Sequence, residues 1–228
     1  MIPELGHFAL ILALLVAVAQ GTLPLYGAQR RDAALMAIAK PAALAQFALV
    51  GFAFGCLGWS FATSDFSVEL VAQHSNTQLP LQYRIAATWG SHEGSLLLWV
   101  LMLTGWASVV ALRSRNLPAA LQARVLAVMG LIGIGFLLFM LFTSNPFLRL
   151  VPAAPEGRDL NPLLQDPGMV IHPPMLYMGY VGFSVAFAFS IAALIGGKLD
   201  ATWARWSRPW TTAAWSFLTI GIALGSWW

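Results

Sequence analysis

Six long apolar runs constrain this sequence more than any other feature. A membrane-spanning helix needs about 20 apolar residues, since roughly 30 Å of hydrocarbon is crossed at about 1.5 Å per residue. Only 9% of the residues are charged, whereas about a quarter are charged in a typical soluble domain. The sequence therefore predicts an all-α, polytopic membrane helical bundle that forms a single transmembrane domain over residues 1–228. The predicted spans are 5–26, 41–62, 95–112, 125–142, 175–195 and 211–228.

The basic residues predict which side of the membrane each connection faces. Nine of the twelve lysines and arginines fall in or beside the first, third and fifth connections. Cytoplasmic loops carry an excess of Lys and Arg, so these connections are expected inside and the N-terminus outside. The net charge of +3 thus reflects topology, and no nucleic-acid partner is predicted. The two longer loops, 63–94 and 143–174, are expected on the outer side.

All four histidines fall on the predicted outer side, and His172 has the most distinctive surroundings, MVIHPPMLYMGYVG. The residue before a proline favours extended backbone, and proline is favoured in a first helical turn, so Pro173 and Pro174 predict a helix start here. The positive helix end would keep the imidazole neutral, the form that binds metal ions and haem iron. A helix cap or a loop hydrogen bond is the alternative. The other three histidines are His7, His74 and His92.

A second candidate cluster lies in RIAATWGSHEGSLLLW, residues 84–99. Trp89, His92 and Glu93 gather just before the third span, where Glu93 could orient the His92 ring; solvated helix-end residues are the alternative. Tyr177 and Tyr180 share one face of the fifth helix and could line a flat ligand. Interfacial anchoring is the favoured explanation of the two tyrosines.

The spans carry no charged residue away from their ends, and the single cysteine, Cys56, offers neither a disulfide nor a CxxC metal site. Ion-coupled transporters usually place ionisable groups at membrane depth. The sequence therefore disfavours a transporter without excluding one. Membrane transport of haem or a similar hydrophobic solute, and a structural role within a membrane complex, remain the alternatives to an outer-face histidine site.

Several long motifs together resemble those of the CcmF/NrfE family, the haem lyase subunits of cytochrome c maturation. The resemblance covers essentially the whole chain, and its motifs occur in the family's order. They are RIAATWGSHEGSLLLW, FTSNPFLRL, EGRDLNPLLQDPG, IHPPMLYMGYVGFSVAFAF and RPWTTAAW.

This resemblance implies a part in attaching haem to apocytochrome c at the periplasmic face of the bacterial inner membrane. In the family, haem arrives on the chaperone CcmE and is held by two outer histidines, and cysteines of a CxxCH motif add to its vinyl groups. The first of those histidines corresponds to His172, which would be an axial ligand of the haem iron. The implied partners are CcmE, CcmH/CcmI-type subunits, apocytochrome c and membrane lipid.

The resemblance also implies residues that this sequence lacks. The family's chain continues past the position of Trp228 into a tryptophan-rich motif, a second outer histidine and a histidine pair that holds a separate haem b. We therefore expect this chain to be one part of a longer or split protein. Haem lyase activity is expected only with the remaining part and partner subunits, and no residue here is assigned a catalytic role.

Overall fold

The computed structural model describes residues 1–114, 116–197 and 201–227. Within these ranges the chain is helical and contains no strand, only one isolated antiparallel bridge between Val68 and Arg149. The prediction of an all-α fold is confirmed. The helices of the described ranges are α1 (Ile2–Arg30), α2 (Ala33–Ala37), α3 (Ala39–Ala62), α4 (Glu69–His74), α5 (Leu81–Ala86), α6 (His92–Arg113), α7 (Ala119–Thr143), α8 (Pro167–Gly196) and α9 (Ala201–Trp227).

Five candidate spans in the described part of the chain are long and apolar enough to cross a membrane: α1, α2 with α3, α6, α7 and a segment of α8. The remaining long helix, α9, has 27 residues but carries Arg205 and Arg208 in its first half. Its sequence is correspondingly more amphipathic. The chain is therefore a multi-pass membrane protein with about six long helices.

The long helices pack in two groups that share α6 and α7. In the first, α1 lies against α3 and α7, and its core includes Leu10, Leu57 and Phe61, whose side chains are fully buried. In the second, α6 and α7 pack against α8, around Leu103 and Phe189. The helix α9 lies along α8, which also packs against α6 and α7.

The helix α8 starts earlier than the double proline predicted. The Asp166 side chain accepts a hydrogen bond from the Gly168 N–H at 2.7 Å, and Pro167 occupies the first helical turn. This is a strong helix-start pattern, an Asp N-cap followed by proline. Pro173 and Pro174 therefore lie inside the helix. The prediction that they mark its start is wrong, and the first-turn dipole no longer explains the state of His172.

The two longer loops pack together over the end of the bundle where α6 and α8 begin. Backbone hydrogen bonds join Glu69 N–H to Leu148 C=O at 2.9 Å and Arg158 N–H to Ala72 C=O at 2.7 Å. The Glu156 carboxylate accepts hydrogen bonds from the Gly157 N–H and from the Thr77 hydroxyl, and these bonds lower its pKa. The loops thus form one hydrogen-bonded layer beside His172.

Candidate functional site

His172 is held by the backbone of α9. Its Nδ1 lies 2.8 Å from the carbonyl oxygen of Gly221. A carbonyl oxygen can only accept, so Nδ1 carries the proton and donates it. In the neutral ring the lone pair is then on Nε2, which has no hydrogen-bond partner among the described residues. A histidine whose first nitrogen donates to a carbonyl and whose second is unpaired has the arrangement typical of metal-ligating histidines.

Two glycines of α9 make this position of the ring possible. A Cβ on Gly225 would stand 2.6 Å from Cε1 of His172, and a Cβ on Gly221 would stand 2.6 Å from the Cα of Leu176. Both are closer than real side-chain contacts allow. From the opposite side, a Cβ on Gly179 would overlap the backbone of Leu218. The GxxxG pair therefore brings the backbones of α8 and α9 together and seats the imidazole between them.

Trp89 compensates for one of the prolines inside α8. Because Pro174 has no N–H, it cannot make the helical hydrogen bond to the carbonyl of Val170. The Nε1–H of Trp89, at the end of a 3-10 turn before α6, donates to that carbonyl at 3.2 Å. Trp89 thereby ties the turn that precedes α6 to the segment of α8 two residues before His172.

Replacing Trp89 by phenylalanine should remove this hydrogen bond while keeping most of the apolar ring. We expect the free energy of unfolding to fall by about 1–2 kcal/mol, since the Val170 carbonyl loses its donor. Chemical unfolding in detergent micelles measures the change. Trp215→Phe is the control, because the Trp215 side chain is 60% exposed and has no hydrogen bond in the described structure. Equal losses for both variants would contradict the role given to Trp89.

Tyr177 belongs to an aromatic cluster deeper along α8. Its ring centroid lies 5.5 Å from that of Trp99 on α6, and Trp99 also contacts Tyr180 at 6.1 Å and Phe136 of α7 at 5.9 Å. Tyr177 is half-buried in the packing between α6, α7 and α8. The cluster supports the helix that carries His172.

His92 lies on a different side of the bundle end, against α7. Its Nδ1 is 2.7 Å from the hydroxyl oxygen of Ser144, and its ring meets Phe139 edge-on at 6.1 Å. Ser144, rather than Glu93, is therefore the residue that orients His92. Glu93 is half-buried in the first turn of α6 and makes no hydrogen bond or ion pair among the described residues. The structure groups Trp89 and Tyr177 with α8 and ties His92 to α7.

The GxxxG spacing of Gly221 and Gly225 indicates close helix packing, but sequence reasoning missed that these two glycines hold His172. Gly221 acts through its carbonyl and Gly225 through its missing side chain, so neither has a chemical signature beyond a GxxxG spacing. Gly51 and Gly55 share that spacing, yet a Cβ on Gly55 would meet nothing within 4 Å. Asn145 follows Ser144 in the sequence, and its Nδ2 lies 3.5 Å from Nδ1 of His7. The motif FTSNP could have indicated a polar turn, but not which histidines it meets.

Residues 89–228, more than half of the chain, match the family described as cytochrome C assembly protein. Over its whole length the chain is 66% identical to the cytochrome c-type biogenesis protein CcmF of Pseudomonas aeruginosa and 59% identical to that of Escherichia coli. It is 46% identical to the cytochrome c-type biogenesis protein NrfE of Haemophilus influenzae. The chain covers 35%, 35% and 36% of these relatives, respectively, about a third of their length.

A solved structure described as Cytochrome c Heme Lyase CcmF has the same fold. It matches with a TM-score of 0.86 at 28% identity, over 100% of this chain and 36% of that chain. The long apolar helices and the imidazole seated between two of them define a multi-pass helical membrane protein with an unpaired histidine nitrogen at one end of the bundle. The chain belongs to the cytochrome c assembly protein family. The resemblance predicted from its motifs is confirmed.

Proposed function

We propose that this chain contributes one axial haem ligand, His172, to a haem lyase that acts in cytochrome c biogenesis. The observation that carries the proposal is the hydrogen bond from His172 Nδ1 to the Gly221 carbonyl. It fixes the tautomer and orientation of the ring and leaves Nε2 for the iron. The names of the relatives support the pathway, since they are cytochrome c-type biogenesis proteins.

The unpaired Nε2 of His172 suits haem, a flat group with an iron atom at its centre. An unpaired imidazole nitrogen is the usual axial ligand of haem iron. Bound haem would supply vinyl groups to which the thiols of a CxxCH segment add as thioethers. This chain's part would be to hold and orient: His172 would bind the iron, and the contacts of Trp89 and Tyr177 with α8 and its neighbours would keep the histidine in place. Its contribution to catalysis is thus proximity and orientation.

The proposed setting is the bacterial inner membrane, with the loop layer and His172 on the periplasmic side. The excess of basic residues in the alternate connections supports this orientation. The partners would be the haem chaperone CcmE, CcmH/CcmI-type subunits and apocytochrome c. His92 and Glu93 are secondary candidates for contact with haem or a partner, because Ser144 leaves Nε2 of His92 unpaired among the described residues.

Buried polar residues favour this function over transport across the bilayer. Within the described ranges, the buried polar side chains of the long helices are glutamine, serine and threonine, and none is ionisable. A transport path for a charged solute would need groups at mid-depth that pair with its charge. An outer-face function needs no such path.

Imidazole rescue tests the proposal directly. In the complete protein, His172→Gly should weaken haem binding measured by difference absorption spectroscopy, because the axial nitrogen is removed. Millimolar imidazole should restore the spectrum, since the free ring can occupy the vacated position. Unchanged haem binding in His172→Gly would contradict the proposal. A loss that imidazole does not restore would assign His172 to the structure of the bundle and would equally count against ligation.

A further inference from the structure

A cavity of about 580 Å³ opens at the end of the bundle away from His172. It lies between the last two turns of α6, the residues that follow them and the first half of α9. Trp206 of this cavity stands 15 residues before Gly221 on α9, which places it roughly 22 Å along the helix from the His172 seat. The cavity is therefore separate from the candidate haem site.

The cavity has an apolar interior and a basic rim. Its wall is formed by Trp106, only 8% exposed, and by Trp210, whose ring meets that of Trp106 edge-on at 6.4 Å. At its rim stand Arg113 of α6 and Arg205 of α9, both exposed. Neither arginine has an ion pair in the described part of the chain, and no acidic residue is among those that line the cavity there.

We propose that this cavity binds an anionic phospholipid, with the phosphate between Arg113 and Arg205 and an acyl chain along Trp106 and Trp210. Guanidinium groups bind phosphate oxygens through paired N–H donors. Basic pockets between membrane helices recognise anionic headgroups, and tryptophan is favoured at the headgroup level of the bilayer. The charge of the rim and the apolar interior match the two parts of one such molecule. A polypeptide segment in this cavity would need a carboxylate of its own to pair with the two arginines.

Lipid retention by the complete protein tests this site. Native mass spectrometry after addition of phosphatidylglycerol or of phosphatidylcholine with identical acyl chains measures binding of the anionic and the zwitterionic headgroup. We expect phosphatidylglycerol to bind roughly 10- to 30-fold more tightly, since each arginine near an anionic headgroup contributes about 1 kcal/mol. Equal binding of the two lipids would overturn the proposal. Binding of neither lipid would overturn it too.

Charge variants locate the binding to this cavity. Arg113→Gln with Arg205→Gln should abolish the preference for phosphatidylglycerol, whereas Arg113→Lys with Arg205→Lys should keep most of it. The matched control is Arg31→Gln with Arg208→Gln, which removes the same charge from exposed arginines outside the cavity. An equal loss in the control would assign the preference to overall charge and contradict a defined site.

Inorganic phosphate distinguishes a lipid headgroup from a free anion. Because the acyl chain is expected to contribute through the two tryptophans, excess inorganic phosphate should leave the bound phosphatidylglycerol in place. Displacement by phosphate alone would mean that the arginines hold a free phosphate ion, and the lipid assignment would then be wrong.

Discussion

Replacing His172 by alanine should lower the yield of covalently attached cytochrome c haem by about 100-fold or more, since a catalyst that works by positioning is sensitive to errors of 1 Å. The substitution removes the imidazole whose Nδ1 is fixed by the Gly221 carbonyl at 2.8 Å. Under the proposed function, the haem iron would then lose its ligand on this part of the protein. The vinyl groups would then no longer be held against incoming thiols.

The measurement is covalent haem staining of a reporter cytochrome c made in cells that carry the complete protein. His74→Ala is the matched control. His74 lies in the same loop layer, but its Nδ1 is 3.1 Å from the Leu70 carbonyl within its own helix α4, away from α8 and α9. We expect the control to keep near-normal yield at equal protein level. Normal cytochrome yield in His172→Ala would remove His172 from the proposed function.

The long helices were predictable because their signal is local. About 20 consecutive apolar residues can satisfy their backbone polar groups in a bilayer only as a helix. Where one helix begins is a finer question, and two proline signals competed for α8. Asp166 with Pro167 could satisfy the first free N–H groups, whereas Pro173 and Pro174 could not. The local sequence did not show that Pro174 could lie inside a helix. The donor that pairs with the freed Val170 carbonyl is Trp89, which is 81 residues away in the sequence.

The candidate site was predictable in its central residue but not in its supports. His172 is conspicuous beside two prolines, and Trp89 was identified near the next helix. The atom that orients His172 is a backbone carbonyl, and every residue has one, so no sequence pattern shows that the Gly221 carbonyl has this role. The role of Ser144 was likewise not predictable, because Glu93 is adjacent to His92 in the sequence and its side chain is charged. Tertiary packing chose between these partners.

The spacing of glycines was informative only where a second helix approaches. Gly221 and Gly225 lie against α8 within distances that exclude a side chain, while Gly55 faces open space at the same spacing. A lipid-facing glycine and a packed glycine therefore look alike in the sequence. The difference between them gives a direct test of how α8 and α9 hold the imidazole.

Gly179→Ala should lower the free energy of unfolding by about 1–3 kcal/mol, the usual cost of forcing an extra group into a packed interior. The new Cβ would overlap the backbone nitrogen and Cα of Leu218 on α9, and backbone atoms cannot move aside as a side chain tip can. The two helices must then separate. Because α9 supplies the Gly221 carbonyl one turn further along, haem binding should weaken together with stability.

Gly135→Ala is the matched control for this prediction, since a Cβ on Gly135 would meet nothing within 4 Å. Alanine is favoured over glycine in a helix interior by about 1 kcal/mol, so the control should be neutral or slightly stabilising. Chemical unfolding of both variants in the same detergent measures the difference. If Gly179→Ala proved as stable as Gly135→Ala, the close approach of α8 and α9 would be contradicted. The position described for the His172 ring between these helices would then be contradicted too.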